Sequence, residues 1–455
     1  MLNLFLRGRS PRPTVRTSAV LAGLLLATAL AGPFQTTALA ETPVRVEVVK
    51  TADGWQLLRG GKPYLIKGVG GDAPKQWLAQ YGGNTFRTWG ADRLATDLEE
   101  ARQSGLTVIA GLWIGHKRQG FDYHNAERVK GQLEGAREVV RASHNDSALL
   151  AWAIGNEMEN DEPPGDPAVW QAIEDIAAMI KKEDPNHPTM TVIAELGADK
   201  IPQLNKYCPD IDIIGINSYA GGASLGERYK AAGGTKPYVI TEFGPPGQWE
   251  TERKPWGGVV EMTSTEKMEW YRRTYLGSVV AEKGLCFGSC AFAWGYKREA
   301  TATWYGMFLP DGSKVAAVDA MSELWTGKPV SNPCPRINSL KLAEGDGRGE
   351  TGAVVHVLLD AKSVNGDPIK VTWELQRDMF RYQVSAEGAA GASGIPDAIF
   401  NATDKSAYVK LPTSGGGYRL YAYVRTPHNG SAAANLCLFV NDPAAKPTGE
   451  KAALP

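Results

Sequence analysis

Beyond its first 40 residues the chain lacks any apolar run long enough to cross a bilayer, so no membrane-spanning segment is expected in the remainder. It also lacks a basic surplus. The leading 40 residues hold four arginines and no acid. The remaining 415 residues therefore carry 45 basic and 50 acidic side chains, a net charge of −5, which argues against nucleic acid as a partner. Histidine is scarce, at six, and cysteine is limited to five. Cys286 and Cys290 stand four apart with no histidine near them, so no metal site is assigned. The glycines of Gly68-Val69-Gly70-Gly71 lack the spacing of a dinucleotide loop, and no cofactor is expected. Cys334 and Cys437 bracket the C-terminal region and would suit a disulfide if the chain is exported; buried free thiols are the alternative for Cys208, Cys286 and Cys290.

Export itself is expected from the start of the chain. Arg7, Arg9, Arg12 and Arg16 precede an apolar run from Ala19 to Ala31, and Ala38-Leu39-Ala40 offers a small-x-small cleavage site. That order is a signal peptide over residues 1–40, with a retained anchor as the alternative. The protein is then expected in the periplasm or outside the cell. Thirteen tryptophans are a high count, and their flat apolar faces suit sugar binding.

The mature chain exceeds one ordinary domain, and two are expected. Trp55–Leu58 and Pro63–Ile66 flank a Gly60-Gly61 turn, a hairpin pattern. Eight short apolar runs come after it: Leu65–Val69, Thr85–Trp89, Thr107–Trp113, Leu149–Ile154, Met190–Ala194, Ile211–Ile216, Tyr238–Thr241 and Ser289–Trp294. Amphipathic stretches such as Asp97–Ser104, Glu127–Ala142, Ala168–Lys182 and Glu266–Glu282 alternate with them. Eight βα units over roughly 260 residues match a closed (β/α)₈ TIM barrel, which needs about 250; an open doubly wound sheet is the alternative. The barrel is assigned to 41–328. Three prolines between Pro329 and Pro335 mark a linker. Val354–Leu359, Ile369–Leu375, Ala407–Leu411, Tyr418–Arg425 and Ala434–Val440 then read as strands of a small immunoglobulin-like β-sandwich over 336–442, with a disordered tail at 443–455.

In a TIM barrel the chemistry sits where strands end. The residues ending these runs are Arg87, His116, Asn156 with Glu157, Glu195, Asn217 with Tyr219, Glu242 and Trp294. Two glutamates thus cap strands four and seven. Glycoside hydrolysis needs such a pair, about 5–5.5 Å apart for the double-displacement route. Glu157 is expected to keep its proton as acid/base, which requires a raised pKa, and Glu242 to act as nucleophile. Arg87 would keep Glu242 ionised, Tyr219 would orient it, and Asn156 would hold a ring hydroxyl. His116, Asn217 and Trp294 complete the expected substrate-binding set. Trp89, Trp249, Trp256 and Trp304 are further candidates for stacking, and Trp113 is assigned to the core. Glu159, Asp161, Glu162 and Asp166 form an acidic loop, read as solvated in preference to a calcium site. Asn145, Asn401 and Asn429 lie in glycosylation sequons without an assigned role.

The stretch Ser143–Glu157, ending Ala151-Trp152-Ala153-Ile154-Gly155-Asn156-Glu157, resembles the strand-four signature of clan A glycoside hydrolases. It is closest to the barrel of glycoside hydrolase family two, the β-glucuronidase and β-galactosidase family. Lys236–Gly244 is similar to the strand-seven nucleophile motif, Gly215–Tyr219 to the strand-six motif with its orienting tyrosine, and Gly83–Arg87 to the strand-two arginine. Asp184-Pro185-Asn186-His187-Pro188 fits the turn before strand five. The resemblance covers the barrel and implies Glu157 as acid/base and Glu242 as nucleophile of a retaining glycosidase. It does not extend to the N-terminal sandwich domains of that family, and Thr88-Trp89-Gly90 follows Arg87 where that family usually places a histidine close by. A β-glucan or related polysaccharide or oligosaccharide is therefore the expected substrate. Glucanosyl transfer on the same site, or glycan binding without catalysis, are the alternatives. The oligomeric state is not specified by any motif.

Overall fold

The computed structural model describes residues 42–163, 165–197, 199–378 and 394–441. The expected signal peptide and tail lie outside the described residues. Three antiparallel strands come first, β1 (Val46–Thr51), β2 (Gly54–Arg59) and β3 (Lys62–Pro63). Their apolar face, Val46 and Leu57, packs against Ile66, Ile109, Leu150, Val239 and Phe287. Backbone bonds from Val46 to Asn186 and from Trp55 to Gly284 tie the sheet to the turns before two barrel strands. The sheet therefore plugs the end of the barrel away from the strand ends that carry chemistry.

Eight parallel strands then close into a barrel: β4 (Ile66–Gly70), β5 (Thr85–Arg87), β6 (Thr107–Leu112), β7 (Leu149–Ile154), β8 (Thr189–Ala194), β9 (Ile213–Asn217), β10 (Tyr238–Phe243) and β11 (Cys286–Phe292). They are buried nearly throughout, which is why they read as unbroken apolar runs and not as an alternation. The helices between them are α1 (Lys75–Gln80), α2 (Leu94–Ser104), α3 (Ala126–Ser143), α4 (Ala168–Glu183), α5 (Lys200–Tyr207), α6 (Leu225–Ala231), α7 (Ser264–Tyr275) and α8 (Ala316–Thr326). Local chemistry sets their ends. Thr263 and Glu266 exchange reciprocal bonds to each other's backbone N–H at the start of α7. Gly327, with φ 69°, ends α8 in the left-handed conformation. Among the described residues no helix is long and apolar enough to cross a membrane.

The C-terminal region is a β-sandwich. Its strands are β12 (Lys314–Val315), β13 (Arg336–Leu342), β14 (Arg348–Glu350), β15 (Val354–Lys362), β16 (Lys370–Arg377), β17 (Ile399–Phe400), β18 (Ser406–Lys410), β19 (Gly416–Arg425) and β20 (Gly430–Asn441). One sheet runs β12-β20-β19-β16 with β14 beside β20; the other runs β13-β15-β18-β17. Alternation along β19 explains its double burial. Leu420, Ala422 and Val424 face the sandwich interior, whereas Tyr421 and Tyr423 join the barrel's core cluster. The short β12 leaves the barrel just before α8 and pairs with β20, so barrel and sandwich share one sheet.

Polar groups reinforce this junction. Buried Arg419 donates to Asp378, to Asn435 and to the Val259 carbonyl. Asn435 donates to Glu261, which also pairs with buried Lys267. The prolyl stretch read as a linker is itself tied down: Cys334 N–H donates to Asp319 at 2.6 Å and Lys314 reaches the Asn332 carbonyl at 3.0 Å. All five cysteines are free and buried, so the expected Cys334–Cys437 staple is absent. Their thiols donate instead to the Lys314 and Val259 carbonyls.

Candidate active site

Glu157 follows β7 by three residues and Glu242 lies within β10. Both line one open cleft of about 580 Å³, together with Asn156, Asn217 and Tyr219. That volume is in the range of sites that hold organic ligands. The chain turns sharply to present Glu157: its φ is 56° and ψ 39°, a left-handed conformation that costs a side-chain-bearing residue about 1–2 kcal/mol. A bond from Glu157 N–H to the Val192 carbonyl, 2.8 Å, holds the turn. Gly155 precedes it with φ 70°, and a Cβ there would meet Met158 at 2.6 Å.

The two carboxyl groups are held differently. Glu242 receives three side-chain donors: Trp89 Nε1 at 2.8 Å and Arg87 Nη1 at 3.3 Å on Oε1, and Tyr219 OH at 2.9 Å on Oε2. Glu157 accepts from Asn217 Nδ2 at 2.7 Å and distantly, at 3.4 Å, from Asn160. Burial, and next the charge of Glu242, push the Glu157 carboxyl up to about 7 against the opposing Asn217 bond. Burial beside Glu242 also drives the Tyr219 phenol well above its ordinary range, so it stays a donor.

Arg87 organises this network from below. It is almost wholly buried and bonds Glu242, Asn217, the Thr241 carbonyl and, at 2.8 Å, Asn156 Oδ1. Arg87 therefore touches the carboxylate and the two asparagines but forms no part of the cleft wall. Two other expected contacts are not in the cleft. Trp294 is 0% exposed and packs edge-on against Tyr81 and Phe308 behind the barrel. Phe292, two residues earlier, lines the cleft in its place. His116 is also 0% exposed; it lies under Trp113, 4.8 Å between ring centroids, with Asp161 3.5 Å away. Burial, then Arg118, hold its imidazole below the ordinary range.

Trp113, assigned to the core from sequence, instead lines the cleft and is half exposed. Trp89 and Trp249 line it as expected; Trp304 is buried and Trp256 packs on Phe439 of the sandwich. The wall also includes Glu195, Glu250, Lys297 and Glu299, of which sequence reasoning noted only Glu195 as a strand end. The acidic loop after Glu157 is paired and not simply solvated. Glu159 accepts from Ala194 N–H and Lys200, Asp166 from His124 and the Ala168 N–H, and Glu162 lies 3.7 Å from Lys117. Among the described residues no group of three or more His, Cys, Asp or Glu is arranged to hold a metal.

The sequence matches no protein-family model and no curated protein. Solved structures do share the architecture. The β-glucuronidase of Ruminococcus gnavus aligns with TM-score 0.51 and 18% identity over 63% of this chain and 53% of that one. An apo structure from the same organism aligns with TM-score 0.50 and 19% identity over 62% and 53%. This likeness shows the fold, a closed barrel of eight parallel strands with alternating helices. The chain spans about half the length of those proteins.

Proposed function

We propose that the protein is an exported retaining glycosidase that cleaves a β-linked glycan, a β-glucan or related oligosaccharide, by double displacement. The observation that carries this reading is the unequal environment of two carboxyl groups in one cleft. Glu242, ringed by Arg87, Trp89 and Tyr219, is suited to attack the anomeric carbon as a carboxylate. Glu157, pushed up to about 7, is suited to hand a proton to the leaving oxygen and then to take one from water. Asn156, held by Arg87 and lining the same cleft, is assigned to bond a ring hydroxyl; the Arg87 bond supports this role by fixing its amide. Such bonds strengthen as the oxocarbenium ion forms.

The test is a set of two variants on aryl β-glycosides and β-glucans. Glu242→Ala is expected to abolish turnover on every substrate. Glu157→Ala is expected to spare dinitrophenyl glycosides, whose leaving group needs no proton, while losing about 10²–10⁴-fold on unactivated sugars. Proton NMR of the first product anomer is expected to show retention. Equal loss on both substrate classes, or inversion, refutes the assignment. Export through residues 1–40 is checked by N-terminal sequencing of the mature protein, expected to start at Glu41.

A further inference from the structure

Thirteen tryptophans occur in the chain, and all lie among the described residues. Eleven are buried or half-buried. Only Trp113, 45% exposed, and Trp249, 59% exposed, stand in water, and both line the cleft that holds Glu157 and Glu242. Exposing an indole forfeits the burial that dominates the energetics of such a side chain. Two exposures at one cleft call for a ligand face.

Their placement is specific. Trp113 directly follows β6 and Trp249 follows β10 by six residues. In the closed order of eight strands these two are four steps apart in either direction, on opposite sides of the mouth. Glu157 follows β7, the neighbour of Trp113's strand, and Glu242 lies in β10, the strand that leads to Trp249, so each indole shares its side of the mouth with one carboxyl group. Both rings are also fixed in spite of their exposure. Trp113 is backed by the buried ring of His116. Trp249 meets Tyr219 edge-on, 5.8 Å between centroids, and lies over Gly247, where a Cβ would come within 2.4 Å of the indole. The next residue, Glu250, accepts from the N–H groups of Gly247, at 2.7 Å, and Ala220, at 3.1 Å, and so clamps this loop to the one after β9. A pre-oriented ring loses little freedom when a sugar stacks on it.

We propose that the cleft binds an internal stretch of a β-linked glycan chain, with one sugar ring on Trp113 at one side of the scissile bond and another on Trp249 at the other. The assignment of the scissile bond rests on the proposed glycosidase reading; the two stacking sites do not. The enzyme then cuts within chains and does not trim single terminal sugars.

The test separates the two. Calorimetry on the Glu242→Gln variant measures binding of β-linked gluco-, manno-, xylo- and galacto-oligosaccharides, from the monosaccharide to the hexasaccharide. Affinity in one series is expected to rise with length by more than about tenfold, since each stacked ring contributes roughly that factor. Trp113→Ala and Trp249→Ala, added singly, are each expected to remove about tenfold of the hexasaccharide affinity, and Trp→Tyr at either position to restore most of it. A loss from disrupted folding would not be rescued by tyrosine. Affinity independent of length, no binding in any series, or alanine variants that bind the hexasaccharide like the parent overturn the proposal. With wild-type protein and a reducing-end-labelled hexasaccharide, internal fragments are expected first; release of terminal monosaccharide alone also overturns it. Length-dependent, tryptophan-dependent binding with no cleavage of any glycan would instead sink the hydrolase reading and leave the stacking sites standing.

Discussion

At the scale of the residue, the cleft sets two side chains of the same chemistry in contrasting surroundings. Glu157 has its carboxyl raised to about 7 by burial and the charge of Glu242. In the proposed mechanism its proton is needed for leaving-group departure, so kcat/KM on unactivated glycosides is expected to fall as pH rises through about 7, a limb that Glu157→Gln removes together with the activity. The same shift has a sign for stability. A carboxyl whose pKa is higher in the folded than in the unfolded protein opposes folding once it ionises, so stability declines as pH rises from the unfolded value through about 7. Glu157→Gln is accordingly expected to melt higher than wild type at pH 8, with the difference vanishing near pH 4. Trp89 gives a second prediction. Its indole N–H is the shortest side-chain donor to Glu242, at 2.8 Å, and Trp89→Phe removes one bond to a charged acceptor, worth about 1.5–3 kcal/mol. That loss is expected as a drop of about 1.5–3 kcal/mol in stability at neutral pH, measured by urea unfolding.

At the scale of the element, the barrel was legible because its strands are buried on both faces and so leave unbroken apolar runs. The six residues at the ends of those runs that the structure brings together, Arg87, Asn156, Glu157, Asn217, Tyr219 and Glu242, could be located along the barrel axis for the same reason. What failed was facing. A strand end locates a residue along the barrel axis but not around the chain's next turn, so Trp294 was placed at the mouth although it points behind the barrel. Cleft residues on long connections, Lys297 and Glu250 among them, carried no periodic signal. In the sandwich, β13 was missed because only Ile337 is buried along it, and β14 and β17 because they are two or three residues long. The burial of Arg419 was also invisible, since its meaning comes from Asp378, Asn435 and Val259, brought together by the fold. Arg419→Ala strands a buried carboxylate and is expected to cost about 3–5 kcal/mol in urea unfolding.

At the scale of the whole molecule, barrel and sandwich belong to one compact unit that begins at Glu41. Tyr421 and Tyr423 of β19 sit in the barrel's own core, and Tyr421 OH accepts from Ala302 N–H on the loop that follows β11. One calorimetric transition is therefore expected, not two, and reductant is expected to leave its midpoint unchanged because no thiol is paired. The strand Lys314–Val315 carries a practical corollary. Anyone building chimeras by recombining catalytic and accessory modules would naturally splice at the prolines around residue 330. That seam leaves β12 on one parent and its partner β20 on the other, with the buried tyrosines orphaned. A workable graft has to carry donor sequence on both sides of α8.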